Sequence, residues 1–279
     1  MLLSKNSLNN TNKLIVISGP CVIESEDHAL QCADFLSNLF ASYEKDILFI
    51  FKSSYDKANR SSIKSFRGPG LTIGLKILKK IKNIFNIPVL TDVHSIQEAH
   101  TAGHIIDVIQ IPAFLCRQTD ILIAAAKTPA IINVKKSQFM SPWEIKHVVE
   151  KLRSSGKNDI LLTERGSCFG YNNLVSDMRS IPIMQNLKCP VVFDGTHSVQ
   201  LPGALDYSSG GQREFIPILT KAALAAGAEG LFIESHPNPN EGKSDSSSML
   251  SFKDLVQLLP EWLALYKLIR QQKECLSLS

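Results

Sequence analysis

Three side chains far apart in the chain, Cys21, His197 and Glu234, offer a thiolate, an imidazole and a carboxylate. These are the donor types a first-row divalent metal takes. Asp245, in a Ser-rich stretch, offers a second carboxylate. Their spacing has no zinc-finger character, so sequence order alone does not make them a site. Taken singly, Cys21 reads as readily as a packed thiol, and His197 as a satisfied polar residue. A second set is cationic: Lys52, Lys57, Arg60, Lys135, Lys136 and Arg165. Several fixed ammonium and guanidinium groups around one pocket suit a multiply anionic substrate, phosphate and carboxylate above all. The competing use of these charges is a salt-bridge network with Asp56, Asp92 and Glu164.

Both sets gain meaning from the elements that must position them. Apolar runs rich in Val and Ile recur at 14–18, 47–52, 87–91, 106–111, 130–135, 160–163, 191–194 and 230–234. Continuous runs without strict alternation are what strands covered on both faces look like. Between them lie helical patterns near 26–43, 71–85, 95–102, 118–127, 141–154, 172–187 and 212–226, with a last one over 251–273. There Leu255, Leu259, Trp262, Leu263, Tyr266 and Ile269 share a face, and Pro260 is expected to begin a new helix. Eight strands alternating with eight helices predict an α/β fold, a single-domain (β/α)8 TIM barrel. An open doubly wound sheet fits less well, because Ser18-Gly19-Pro20-Cys21 is no dinucleotide fingerprint. Residues 1–13, polar and Asn/Ser-rich, read as a flexible N-terminal segment, 14–273 as the barrel and 274–279 as a tail.

In such a barrel, chemistry gathers where strands end and βα loops begin. Those positions hold Cys21, Lys52, Asp92, Gln110, Lys135, Glu164-Arg165, Asp194 with His197, and Glu234. Polar groups cost energy if buried without partners, so eight polar strand ends out of eight predict a functional mouth. The connections 53–69 and 235–250 are long and polar, the length at which loops tend to be functional. Six scattered cysteines in 279 residues predict reduced thiols, and with the absence of a signal-like start they predict a cytoplasmic protein. No apolar run is long enough to cross a membrane. A net charge of +4 gives no reason to expect nucleic acid as a partner.

The stretch Phe51-Lys-Ser-Ser-Tyr-Asp-Lys-Ala-Asn-Arg-Ser-Ser62, followed by Ser65-Phe-Arg-Gly-Pro-Gly70, resembles the signature of the 3-deoxy-D-manno-octulosonate 8-phosphate synthase family. Gly19-Pro-Cys-Val-Ile-Glu-Ser25, Thr91-Asp-Val-His94, Asn133-Val-Lys-Lys136, Asp194-Gly-Thr-His-Ser-Val-Gln200 and Ile233-Glu-Ser-His-Pro237 agree with it in order. The resemblance spans residues 14 to 270. It implies a cytosolic transferase of lipopolysaccharide synthesis, a homotetramer that joins phosphoenolpyruvate to arabinose 5-phosphate. It also implies roles. Lys57, Lys135 and Arg165 would hold phosphoenolpyruvate, with Lys52 and Gln110 nearby. Asn59, Arg60 and Ser61 would contact the aldose and its phosphate, and Arg117 would reach the aldose phosphate of a neighbouring subunit. Lys57, Lys135, His197 and Asp245 would be catalytic. The family has a metal-dependent branch, marked by Cys at the end of the first strand, and a metal-independent branch with Asn there. Cys21, with His197, Glu234 and Asp245, implies the former, with manganese, iron or zinc. The chain departs from the family at Gly195 and Pro129. Two rival readings are the related synthase that uses erythrose 4-phosphate, which resembles Lys-Pro-Arg-Thr in the aldose loop, and a non-catalytic sugar-phosphate sensor on the same scaffold.

Overall fold

The computed structural model describes residues 12–203 and 210–277, with side chains described as far as residue 272. Eight parallel strands alternate with helices along these residues: β1 (Leu14–Gly19), β2 (Ile47–Lys52), β3 (Val89–Asp92), β4 (Val108–Ile111), β5 (Ile131–Lys135), β6 (Ile160–Glu164), β7 (Val191–Asp194) and β8 (Gly230–His236). Each pairs with the next, and β8 returns to pair with β1, where Gly19 lies beside Glu234. The sheet is therefore a closed barrel. The outer layer is α1 (Glu26–Ala41), α2 (Leu71–Phe85), α3 (Ile96–Gly103), α4 (Thr119–Ala126), α5 (Ile145–Ser154), α6 (Ser180–Gln185), α7 (Ile216–Ala225) and α8 (Phe252–Ser277).

Alternation along the strands sorts side chains between two cores. Ile15, Ile17, Ile50, Leu90, Val108, Ile131, Leu161, Val192 and Phe232 point inward and fill the barrel. The other parity, with Val16, Phe51, Ile109, Ile132, Leu162, Phe193 and Ile233, packs against the helices. One inward step beyond the apolar plug come Lys52, Asp92, Gln110, Asn133, Asp194 and Glu234, so the same periodicity builds a polar floor at the C-terminal mouth. At that level β1 and β2 run very close together. A Cβ on Gly19 (φ +154°) would lie 2.1 Å from the Lys52 carbonyl oxygen, so only glycine fits.

Four expectations are corrected. Pro260 does not begin a helix, because α8 runs through it without a break. Its fixed φ is compatible with a helix, the carbonyl it leaves unbonded is that of the exposed Val256, and buried Leu255, Leu259, Trp262 and Leu263 hold both halves to the barrel. The helix expected over 172–187 shrinks to α6. Gly170 and Asn172, both at positive φ, turn the preceding chain into a small hairpin, Ser167–Cys168 against Leu174–Val175. The helix expected from 141 begins at Ile145, after turns at Pro142. The one expected from 212 begins as a 3-10 turn at Arg213–Phe215. At the ends, the stretch 274–277 continues α8, whereas residues 1–11 of the expected N-terminal segment and residues 278–279 lie outside the described residues. No helix of the described residues is long and apolar enough to cross a membrane.

Candidate active site at the barrel mouth

The C-terminal mouth holds a cleft of about 480 Å³. Of the residues singled out from the sequence, Lys52, Lys57, Asn59, Arg60, Ser61, Gln110, Lys135, Arg165, His197, Glu234 and Asp245 line it. They arrive from different strand ends and from the loops 53–69 and 235–250. Cys21 sits behind this wall, buried, with Sγ 3.0 Å from Asp245 Oδ2 and 3.0 Å from Ser244 Oγ. Arg117 does not join the cleft. It lies exposed before α4, and its carbonyl accepts a hydrogen bond from Lys151.

Potential donor atoms of Cys21, Glu234 and Asp245 all lie within 4.8 Å of one another. His197 Nε2 is 3.7 Å from Glu234 Oε1 and 3.8 Å from Asp245 Oδ2. The other ring nitrogen of His197, Nδ1, lies 2.8 Å from the Asp194 carboxylate, which only accepts, so Nδ1 carries the proton. In the neutral ring the Nε2 lone pair then faces the other donors, the arrangement a carboxylate imposes on a ligating histidine. Glu234 Oε2 is buried without a hydrogen-bond partner among the described residues. One thiol, one oriented imidazole and two carboxylates, with a buried carboxylate oxygen unsatisfied, are a set that fits a divalent cation. Burial pushes the Cys21 thiol up, and the charges of Asp245 and Glu234 add to this against Lys57 and Lys52. A cation here would have to displace that proton.

Charge in the rest of the cleft is closely paired. Lys52 donates to Glu234 Oε1 at 2.5 Å and to the Cys21 carbonyl at 2.7 Å, with Lys57 3.9 Å from the same carboxylate oxygen. Burial would raise the Glu234 carboxyl, but Lys52, His197 and Lys57 outweigh it and hold the group down at about 2. Lys135 donates to Asp194 and stands 3.2 Å above the Phe232 ring centre. Burial draws its ammonium down to about 8 despite Asp194. Arg165 donates to Gln138, Gln200 and the His197 carbonyl, yet its Nε is buried with no partner among the described residues. A guanidinium with an unmet buried donor is prepared for an anionic oxygen.

The sequence reading assigned no role to several residues that line the cleft. Asp92 and Asp194, counted among the strand ends of the mouth but given no site role of their own, occupy inward positions one strand period beyond Leu90 and Val192. His94 bridges Asp92 at 2.9 Å and Glu98 at 3.0 Å, and Tyr55 donates to the same Glu98 oxygen. Gln200 joins Arg165 to Asp245, donating to Asp245 Oδ1 at 2.9 Å. Gln138, Gln200 and Phe114 come from loops, where no periodicity points to them.

Residues 5–271 match the DAHP synthetase I family. The chain is 61% identical over 259 residues to a protein of Protochlamydia amoebophila (strain UWE25) named 2-dehydro-3-deoxyphosphooctonate aldolase, covering 93% of this chain and 94% of that one. Proteins of the same name from Synechococcus sp. and Francisella tularensis subsp. holarctica are 53% and 52% identical, over 91% and 94% of this chain and 88% and 95% of theirs. With its barrel, its polar mouth and its signature loops, the chain belongs to the DAHP synthetase I family and, within it, to the 2-dehydro-3-deoxyphosphooctonate aldolase group, the octulosonate 8-phosphate synthases.

Proposed function

We propose that this cleft is where the chain condenses phosphoenolpyruvate with D-arabinose 5-phosphate and water, giving 3-deoxy-D-manno-octulosonate 8-phosphate and inorganic phosphate. The observation that carries the reading is the meeting, at one barrel mouth, of a cationic pocket with the cluster of Cys21, Glu234 and Asp245, which His197 Nε2 approaches. Arg165, Lys135 and Lys57 hold the carboxylate and phosphate of phosphoenolpyruvate on the barrel floor, with Lys52 and Gln110 beside them. Asn59, Arg60 and Ser61 hold the aldose and its phosphate at the outer wall. This places carbon 3 of phosphoenolpyruvate toward the aldehyde, an alignment that removes much of the entropic barrier. Carbon 3 attacks the aldehyde, water adds at carbon 2, and phosphate leaves with carbon–oxygen cleavage. Negative charge grows on the aldehyde oxygen, which the preset ammonium and guanidinium groups stabilise.

Cys21, His197, Glu234 and Asp245 would hold a divalent ion, with manganese, iron or zinc suiting this mixed donor set. Such an ion supplies a Lewis acid that orients the aldose or activates water. Asp194 fixes the His197 ring and pairs with Lys135, so one buried carboxylate orders both the cation that meets phosphoenolpyruvate and the imidazole of the donor set. We further propose that the chain works as a cytoplasmic homotetramer in which exposed Arg117 reaches the aldose phosphate of a neighbouring subunit.

The related reaction with erythrose 4-phosphate is not favoured, since the relatives compared all carry the eight-carbon name and the aldose loop reads Lys57-Ala-Asn-Arg-Ser-Ser62. Phosphate release from phosphoenolpyruvate, followed with each aldose in turn, tests the reading. Fast release with arabinose 5-phosphate and little with erythrose 4-phosphate is expected. The reverse preference would overturn it, and tight binding without release would mark a sensor.

A further inference from the structure

Behind the wall of the cleft lies a second group of potential metal donors, Glu24, His28 and His236, which the reaction described above does not use. Its chemistry differs from that of the first. The Asn238 N–H donates to His236 Nδ1 at 3.0 Å, so in the neutral ring Nε2 carries the proton and faces Glu24 Oε1 at 3.4 Å. His236 thus turns a hydrogen, not a lone pair, toward the carboxylate, the opposite of His197, although its Nε2 makes no hydrogen bond among the described residues. His28 lies against His236 with ring centres 4.7 Å apart and seals this side.

The carboxylate has another partner. The backbone N–H of Lys243 donates to Glu24 Oε1 at 2.9 Å. The carbonyl of the same residue accepts from Arg60 Nη2 at 2.7 Å. Lys243 stands two residues before Asp245 and one before Ser244, and Glu24 three residues after Cys21. The Glu24 contact therefore ties the β1–α1 loop to the β8–α8 loop just where Cys21 meets Ser244 and Asp245. The β1–α1 loop is itself fixed, since the Ile23 N–H donates to the Ser54 carbonyl and the Ser54 N–H donates to the Cys21 carbonyl. Asp245 needs such support. Its φ is +49°, a conformation uncommon for a residue with a side chain, which persists where the surroundings over-determine it. Downstream, Ser248 and Met249 donate to its carbonyl, and Gln200 holds its carboxylate. Upstream, Cys21 Sγ reaches Ser244 Oγ, and the clamp fixes the Lys243 peptide before it.

We infer that Glu24 is a positioning residue for the metal-binding group: it fixes the Lys243 peptide and so presets Asp245 against Cys21. This rests on the proposed reading of Cys21, His197, Glu234 and Asp245 as metal donors. What Glu24 supplies is an acceptor oxygen at a set reach, not its charge.

The test is a Co²⁺ titration of the full-length protein, followed by the thiolate-to-cobalt absorption that Cys21 would give. Glu24→Ala and Glu24→Asp, the latter one methylene short, are expected to weaken Co²⁺ affinity about tenfold or more, the usual effect of removing a partner outside the ligand set. Glu24→Gln keeps an acceptor oxygen at the same reach and should stay within about twofold of the unmodified protein. Glu26→Ala, which removes an exposed partner of Lys80, should change nothing. Should Glu24→Ala not fold, Glu24→Asp carries the comparison. Equal affinity in all variants would overturn the inference while leaving the metal reading intact. Loss in Glu24→Gln equal to that in Glu24→Ala would overturn it in favour of a charge effect. Two ions per chain, with one lost in Glu24→Ala, would overturn it by making the second group a metal site. A wild-type protein with no thiolate–cobalt absorption would instead defeat the metal reading itself.

Discussion

Lys135 sits at the meeting of the two functions proposed for the cleft, and its chemistry is the most exposed to pH. Burial lowers its ammonium to about 8, so in the free protein it is charged below that pH and neutral above it. Loss of the charge removes attraction for an anionic substrate. The kcat/KM for phosphoenolpyruvate should accordingly fall on the alkaline side with a pKa near 8, since that ratio reports free-enzyme groups. Lys135→Arg should keep some activity and shift this limb out of the accessible range, which a pH–rate profile would reveal. Lys52 is tied more to stability. It is fully buried against Glu234, and its removal leaves a buried carboxylate whose described neighbours are Lys57 at 3.9 Å and His197 at 3.7 Å. Lys52→Met should cost about 3 kcal/mol in urea denaturation, the low end for a broken buried pair, and the loss should shrink when a divalent ion is supplied. Residue types at strand ends made most of this set legible in the sequence. What stayed hidden were the partners, such as Gln200 and the Asp92–His94–Glu98 chain, because hydrogen-bond geometry has no period along the chain.

Elements follow the same division. All eight strands lie where apolar runs place them, since a strand buried on both faces has no other composition open to it. Helices with a clear apolar face were equally legible, α2 above all, whose expected bounds 71–85 are the observed ones. The failures came where local backbone chemistry overrides periodicity. The hairpin at Ser167–Cys168 and Leu174–Val175 is set by left-handed Gly170 and Asn172, which a helical count reads through. At Pro260 the error had the other sign, as tertiary packing of α8 overrode a local breaker. Pro260→Ala restores a helical hydrogen bond at a position where the fold has tolerated its absence. It should raise stability by about 2 kcal/mol in thermal or urea denaturation, less the entropy benefit proline brings through the unfolded chain, with turnover unchanged. A loss of stability would mean that the chain bends at Pro260 to fit the barrel.

For the whole molecule, closure of the barrel is what turns scattered residues into a site: β8 pairing with β1 brings Glu234 beside Gly19 and so beside Cys21, more than two hundred residues earlier in sequence. Arg117 and Lys136 are the exceptions: Lys136, expected among the pocket cations, is buried 3.6 Å from Glu164, and Arg117 is exposed on one chain and outside its cleft. If the chain assembles as the proposed tetramer, Arg117→Ala should raise the KM for arabinose 5-phosphate severalfold and leave that for phosphoenolpyruvate unchanged. An equal rise in both would argue against a role at the aldose phosphate. The most direct measurement of the whole account is product formation from phosphoenolpyruvate and arabinose 5-phosphate by protein stripped of metal and then reloaded with manganese, iron or zinc. The account predicts octulosonate 8-phosphate and phosphate in equal amounts from the reloaded protein and neither from the stripped one. Full product formation by verified metal-free protein would contradict it.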